Sequence, residues 1–161
     1  MRVYLVRHGK ASKDPTIPTD AERPLTDRGR ADVLGIAQIM AAAGVQIHQI
    51  RHSGLVRARQ TADIFGEHLN PPGGVLPVNG LHYADPVEEL ARELRLETEP
   101  VMLVGHNPFM ERLAAALLMF NTGHTPVWFA TSSTACLDYL EGEWSIKWVL
   151  HRELVKGGEE E

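Results

Sequence analysis

Only one cysteine, Cys136, stands among the 161 residues, which excludes an intramolecular disulfide and fits a reducing, cytoplasmic setting. Cys136 is not a phosphatase nucleophile of the cysteine type either. Six residues on, where that chemistry needs an arginine, the chain has Gly142. Long apolar runs are missing: nothing approaches the ~18–20 residues that cross a bilayer. Arg7 and His8 interrupt the first apolar stretch too early for a secretion signal, so no membrane partner is expected. An excess of positive charge is missing as well. A net charge of −5 argues against nucleic acid as a partner, so an anionic ligand must be held by local placement of arginines. The eight histidines lack HExxH or CxxC-like spacing, so neither a metal nor another cofactor is expected. Internal repeats are absent, and 43% apolar content suits one domain over 1–156 with an acidic tail at 157–161.

What is present alternates strand and helix, the pattern of an α/β fold. The pattern implies a three-layer α/β/α sandwich with a mostly parallel central sheet and a C-terminal antiparallel hairpin. Val3 to Val6 reads as a strand buried on both faces. A polar loop with Pro15, Pro18 and Pro24 follows, then Thr26 as N-cap of a helix over about 27–43 that stops at Gly44. A strand is expected over 45–51, a helix over 56–69 and a break at "NPPGG". In "ADPVEEL", Asp85, Pro86 and Glu88 fit a capping box opening a helix. "PVMLVGHNP" reads as a buried strand, with Asn107 as cap, Pro108 at the first helical position and a helix to about Phe120. Residues 134–154 read as a hairpin about Glu141-Gly142, with Trp144, Ile146, Trp148 and Leu150 alternating on one face. The two tryptophans and Cys136 are expected in the core.

Three strands end in similar chemistry: Arg7 and His8 after the first, Ser53 and Arg57 after the second, His106 after the third. In an open parallel sheet, ligands bind outside the carboxyl ends of the strands, so this topology gathers the four charged or titratable groups at one rim. Two arginines and two histidines repel one another unless an anion sits among them. A phosphoryl group supplies that charge and three acceptor oxygens, which the arginine fork matches. Helix starts after Ser53 and Asn107 add backbone donors. A neutral imidazole held through one nitrogen attacks phosphorus with the other, and arginines can neutralise the transferring oxygens without a metal.

"RHG" after the first strand, "RPLTDRG" (23–29), "SGLVRARQT" (53–61) and "VGHNP" together resemble the histidine phosphatase (phosphoglycerate mutase-like) superfamily. "FATSSTA" (129–135) and the short chain are similar to its SixA-type phosphohistidine phosphatases. The resemblance, from residue 1 to about 152, implies that fold and assigns roles: His8 as the nucleophile that becomes phosphorylated, and Arg7, Arg57 and His106 as the groups holding the phosphoryl. Arg23 matches an arginine beside the pocket. Two positions depart from the pattern. Gly54 replaces a usual proline, which is expected to loosen the turn. Asn79 lies near where many members carry an acid that protonates the leaving group. Protonated phosphohistidine leaves as a neutral imidazole and does not need that acid, and Asp85 and Glu88 are already explained as capping residues.

The reading is therefore a phosphatase acting on phosphohistidine displayed by a protein, with a histidine-containing phosphotransfer protein among the candidate partners. A small-molecule phosphomonoesterase of the same fold, acting on a sugar or nucleotide phosphate, is the alternative enzyme. A non-catalytic phosphate-binding module is the alternative outside enzymology. Lys10 and Arg59 are read as solvent-facing. The remaining histidines (48, 52, 68, 82, 124 and 151) are read as surface or half-buried, with His82 and His124 as candidates for the pocket rim.

Overall fold

The computed structural model describes residues 1–119 and 121–155. Its first strand, β1 (Arg2–Arg7), has Val3 to Val6 fully buried because helices cover both faces of the sheet. Val3 and Leu5 enter one hydrophobic cluster and Tyr4 and Val6 the other, the two-residue period of an extended chain. The chain continues through α1 (Asp27–Ala42), β2 (Gln49–His52), α2 (Val56–Leu69), β3 (Val75–Pro77) and α3 (Glu88–Leu94). Then come β4 (Val101–Gly105), α4 (Phe109–Met119), β5 (Thr134–Leu140), β6 (Glu143–Leu150) and α5 (Arg152–Val155). The sheet order is β3-β2-β4-β1-β5-β6, with β1 to β4 mutually parallel, β5 antiparallel to β1, and β6 antiparallel to β5.

Val33, Ile36 and Met40 of α1, with Ala58, Ala62 and Phe65 of α2, pack on one sheet face. Leu94 of α3 and Phe109, Met110, Leu113 and Leu117 of α4 pack on the other. This is the three-layer arrangement that the sequence pattern implies. Truncating a fully buried Phe65 or Phe109 to alanine would cost about 3–5 kcal/mol. The strand ends therefore project from a rigid platform. No helix among the described residues is long and apolar enough to cross a membrane.

Thr26 caps α1 as expected, accepting from the Gly29 backbone N–H at 2.9 Å. Several local expectations are corrected. β2 begins at Gln49, not Val45, because the turn closing α1 claims the Val45 N–H for the Met40 carbonyl. The three-residue β3, unexpected after the "NPPGG" break, adds to the outer side of β2. Asp85 does not cap α3. Its carboxylate instead accepts from the His82 backbone N–H at 2.8 Å, closing a local turn, and α3 starts at Glu88 with no side-chain cap. Asn107 does not cap α4 either. Its amide is drawn to the Phe129 carbonyl and Glu111, so the helix starts at Phe109.

The alternation in β6 is broken by a bulge, where Cys136 pairs with Trp148 but Leu137 pairs with Ile146. Lys147 is the extra residue. It sends Trp144 to the α3/α4 cluster and Trp148 and Leu150 to the α1/α2 cluster, where Trp148 lies against Tyr4. Cys136 is buried in β5 as a free thiol. The helix α5, also unexpected, packs Val155 against Gly35 of α1. The tail read at 157–161 and the helix end read at Phe120 lie outside the described residues.

Candidate active site

Parallel pairing sets three strand ends side by side: Arg7 opposite Gly105, and His52 opposite Val104. The residues that follow are His8, His106 and the 53–57 turn into α2, so the topology assembles them at one rim as the sequence implied. The His8 and His106 ring centroids are 4.9 Å apart.

His8 Nδ1 lies 2.7 Å from the Gly9 carbonyl oxygen. A carbonyl only accepts, so the neutral ring carries its proton on Nδ1 and leaves Nε2 with a free lone pair. Burial pushes the His8 pKa down to about 4. The Gly9 carbonyl opposes that shift, and the charges of Arg57, Arg7 and Arg23 reinforce it. At neutral pH the imidazole is uncharged, the form a nucleophile requires. Gly9 itself is fixed by its N–H donating to Thr61 Oγ1 at 3.0 Å, and the Thr61 hydroxyl donates to the Arg57 carbonyl at 2.7 Å. A side chain at position 9 would meet Val33 at 2.9 Å and the Gly29 carbonyl at 3.0 Å, so glycine is what lets the strand end press onto α1.

His106 Nε2 is 2.6 Å from Ser53 Oγ, which ties the end of β4 to the turn after β2. Burial lowers its pKa to about 3, with His8, Arg57 and His82 adding to the effect and Asp20 opposing it. Arg7 Nη1 donates to the Phe129 carbonyl at 2.9 Å, and Asn107 Nδ2 donates to the same oxygen at 2.9 Å. The "FATSSTA" segment also binds the strand end directly, Arg7 N–H to the Ser133 carbonyl and Ser132 N–H to the Arg7 carbonyl, both at 3.1 Å.

Arg57 is held differently. Its Nη1 donates to the Asp20 backbone carbonyl at 2.8 Å and its Nη2 to the Asp20 carboxylate at 3.0 Å. Arg23 donates from Nη1 to the other carboxylate oxygen at 3.1 Å and from Nε to the Ser12 carbonyl at 2.8 Å. Asp20, on a short 3-10 turn over Asp20–Glu22, thus bridges the two arginines. Burial opposes its charge, yet the Arg57 hydrogen bond and the charges of Arg57, Arg23 and His106 outweigh this and hold the carboxyl below its usual range.

All five site residues read from the sequence, Arg7, His8, Arg23, Arg57 and His106, therefore come together. Asp20 and Thr61 were not read, though the need for negative charge among the arginines was a signal for the first. Lys10 is not a plain surface residue. It lines, with Arg7, His8, Arg23, Trp128 and Arg152, an open cleft of about 380 Å³. Arg152, likewise unread, donates to Thr131 Oγ1 at 3.1 Å.

The Gly54 departure does not loosen its turn. Gly54 has φ +90° and its N–H donates to His52 Nδ1 at 3.1 Å, a conformation and a bond that proline cannot supply. His52 is correspondingly buried rather than at the surface. His82 does reach the rim, 6.3 Å from the His106 ring, whereas His124 is exposed in the 121–126 segment. Asn79 is exposed as well.

Fold and site together define an α/β protein that gathers arginines and histidines at one sheet rim, in a constellation suited to a phosphoryl-sized anion. Residues 3–79 match the model of the histidine phosphatase superfamily, branch 1. The phosphohistidine phosphatase SixA of Escherichia coli is 29% identical over 153 residues, 92% of each chain. The structure of the protein histidine phosphatase SixA complexed with tungstate matches with a TM-score of 0.84 at 28% identity, over 94% of this chain and 97% of that one. A candidate phosphohistidine phosphatase SixA from Agrobacterium tumefaciens matches with a TM-score of 0.78 at 30% identity, over 93% of this chain and 97% of that one. The chain belongs to the histidine phosphatase superfamily, and it is a phosphatase.

Proposed function

We propose that this phosphatase removes phosphate from phosphohistidine on a protein, in the cytoplasm, through a covalent phospho-His8 intermediate. The observation that carries the reading is the His8 ring, with Nδ1–H committed to the Gly9 carbonyl and Nε2 left to attack. In the first step Nε2 bonds to phosphorus as the P–N bond of the protonated substrate breaks, and the substrate imidazole leaves neutral. Arg7, Arg57 and Arg23 neutralise the equatorial oxygens during transfer, while His106, uncharged at neutral pH, contributes a hydrogen bond rather than charge. In the second step water attacks phosphorus, the P–N bond to His8 breaks, and orthophosphate leaves while the water's proton passes to solvent.

The protein substrate is supported by the surroundings. The open cleft beside His8 is bordered by Lys10, Arg23 and Arg152, which suits a side chain presented by an acidic partner surface. The Asp85 carboxylate accepts from the His82 N–H, and Asp85 is not among the residues lining the cleft beside His8. A histidine-containing phosphotransfer protein fits this description, and so does the name borne by the Escherichia coli relative.

The test is turnover of a phosphohistidine protein beside a panel of sugar, nucleotide and phosphoserine esters, with acid-labile labelled phosphate trapped on the enzyme. We expect faster turnover of phosphohistidine, label on His8 and loss of both activity and label in His8→Ala. Equal or better turnover of an ester would replace the substrate assignment, and activity retained in His8→Ala would overturn the intermediate.

A further inference from the structure

Asp20 presents a puzzle that the reaction does not resolve, since its carboxylate takes donors of both Arg57 and Arg23. Those planar N–H groups are the ones a phosphoryl oxygen would use. The two partners of the main pair differ sharply in environment. The Arg57 side chain is 6% exposed and the Asp20 side chain 59%. A guanidinium buried to that degree is costly without an anion beside it. The carboxylate, by contrast, can turn into water at little cost to itself, so long as another anion takes its place beside Arg57.

The contacts also separate into two kinds. Arg57 Nη1 binds the Asp20 backbone carbonyl, which anchors the loop, whereas Nη2 binds the carboxylate alone. The side chain can therefore leave while the loop stays attached. A phosphoryl group carries more charge than a carboxylate and offers three acceptors rather than two.

We propose that Asp20 is an internal competitor for the phosphoryl site, a carboxylate that neutralises Arg57 and Arg23 until substrate displaces it and that returns as orthophosphate departs. This rests on the reading that these arginines hold the substrate's phosphoryl group. Its effect is to scale the affinity for every oxyanion down to the fraction of molecules in which the carboxylate is disengaged, and so to limit product inhibition.

The experiment measures binding of orthophosphate and of orthovanadate by calorimetry to the full chain and to Asp20→Asn and Asp20→Ala. Both substitutions keep the backbone carbonyl that anchors the loop, and thermal melting checks that both fold. Both variants should bind each oxyanion about tenfold more tightly than the unaltered protein, with a larger gain in Tm on adding phosphate. Unchanged or weaker binding in either folded variant would overturn the proposal, because a residue that merely orients the arginines would lower affinity when removed. Turnover of the phosphohistidine protein by the unaltered chain is assayed in parallel. Tighter oxyanion binding without any turnover would sink the functional reading and leave the competitor standing.

Discussion

Arg7 and Arg57 both act on His8 through their charges and are held in opposite ways. Arg7 ends β1, and its guanidinium is fixed by a backbone carbonyl, Phe129 O, that also receives Asn107. Arg57 opens α2, and its guanidinium meets an exposed carboxylate on a loop. A carbonyl in a packed segment cannot leave; a carboxylate on a 59% exposed side chain can. One arm of the pocket is thus preset, and the other is kept charged and aligned by a group that substrate can replace. Between them stands His8, whose orientation depends on neither arginine but on its own neighbour's carbonyl.

Replacing either arginine by lysine breaks the comparison most severely. A lysine keeps one charge but loses the two-pronged donor that matches phosphoryl oxygens. We expect kcat/KM to fall by about 10²–10³ in each of Arg7→Lys and Arg57→Lys. The two should separate in binding. Orthophosphate affinity drops in both variants, and added Asp20→Asn restores it more fully in Arg7→Lys, where Arg57 still holds the carboxylate, than in Arg57→Lys, where that pair is already weakened. Equal behaviour of the two double variants would remove the distinction between a preset and an exchangeable arm.

The turn that delivers Arg57 gives the next largest effect. Gly54 adopts φ +90° and donates to His52 Nδ1, so Gly54→Pro forces φ negative and removes the donor. We expect a loss of about 2 kcal/mol or more in chemical denaturation. A neutral or stabilising outcome would mean that the turn accepts the proline usual in the family. On the Arg7 arm, Asn107→Ala leaves the Phe129 carbonyl with Arg7 as its one side-chain donor and frees its position. A fall in kcat of about tenfold with KM nearly unchanged is expected for a residue that positions another.

What the sequence displayed, and what it hid, follows the same division. His8, Arg57 and His106 were legible because each follows a run or turn whose pattern is local: apolar strand, then charge, then glycine or a helix start. The parallel sheet followed from strand and helix alternation. Asp20 was hidden because a carboxylate in a polar loop looks like any other, and only the fold brings it to Arg57, 37 residues away. The bulge at Lys147 was hidden because the unbroken alternation of Trp144, Ile146, Trp148 and Leu150 fits a regular strand equally well; the choice is made by two cores competing for the tryptophans. Asp85 misled because the capping-box pattern and the turn to His82 use the same carboxylate at the same three-residue separation, and the turn won.

The smallest effect concerns the histidines that both arms enclose. His8 and His106 are pushed down from 6.5 to about 4 and about 3, and His52 is lowered by burial as well. Each folded-state pKa lies below the unfolded value, so between pH 7 and 5 the unfolded chain takes up protons that the native chain refuses. Stability must then decline as pH falls through that window. Carboxylates whose folded pKa is depressed, such as Asp20 and Asp14, lose their contribution only further down, near and below their ordinary value of 3.8. The window above pH 5 therefore isolates the imidazoles. Urea unfolding at pH 7, 6 and 5 should give a declining free energy for the unaltered chain and a shallower decline for His8→Asn and for His106→Asn. A flat profile in the unaltered chain would mean that both rings accept protons as readily folded as unfolded. The neutral His8 on which the preset side of the pocket depends would then be lost below pH 6.5, its ordinary value.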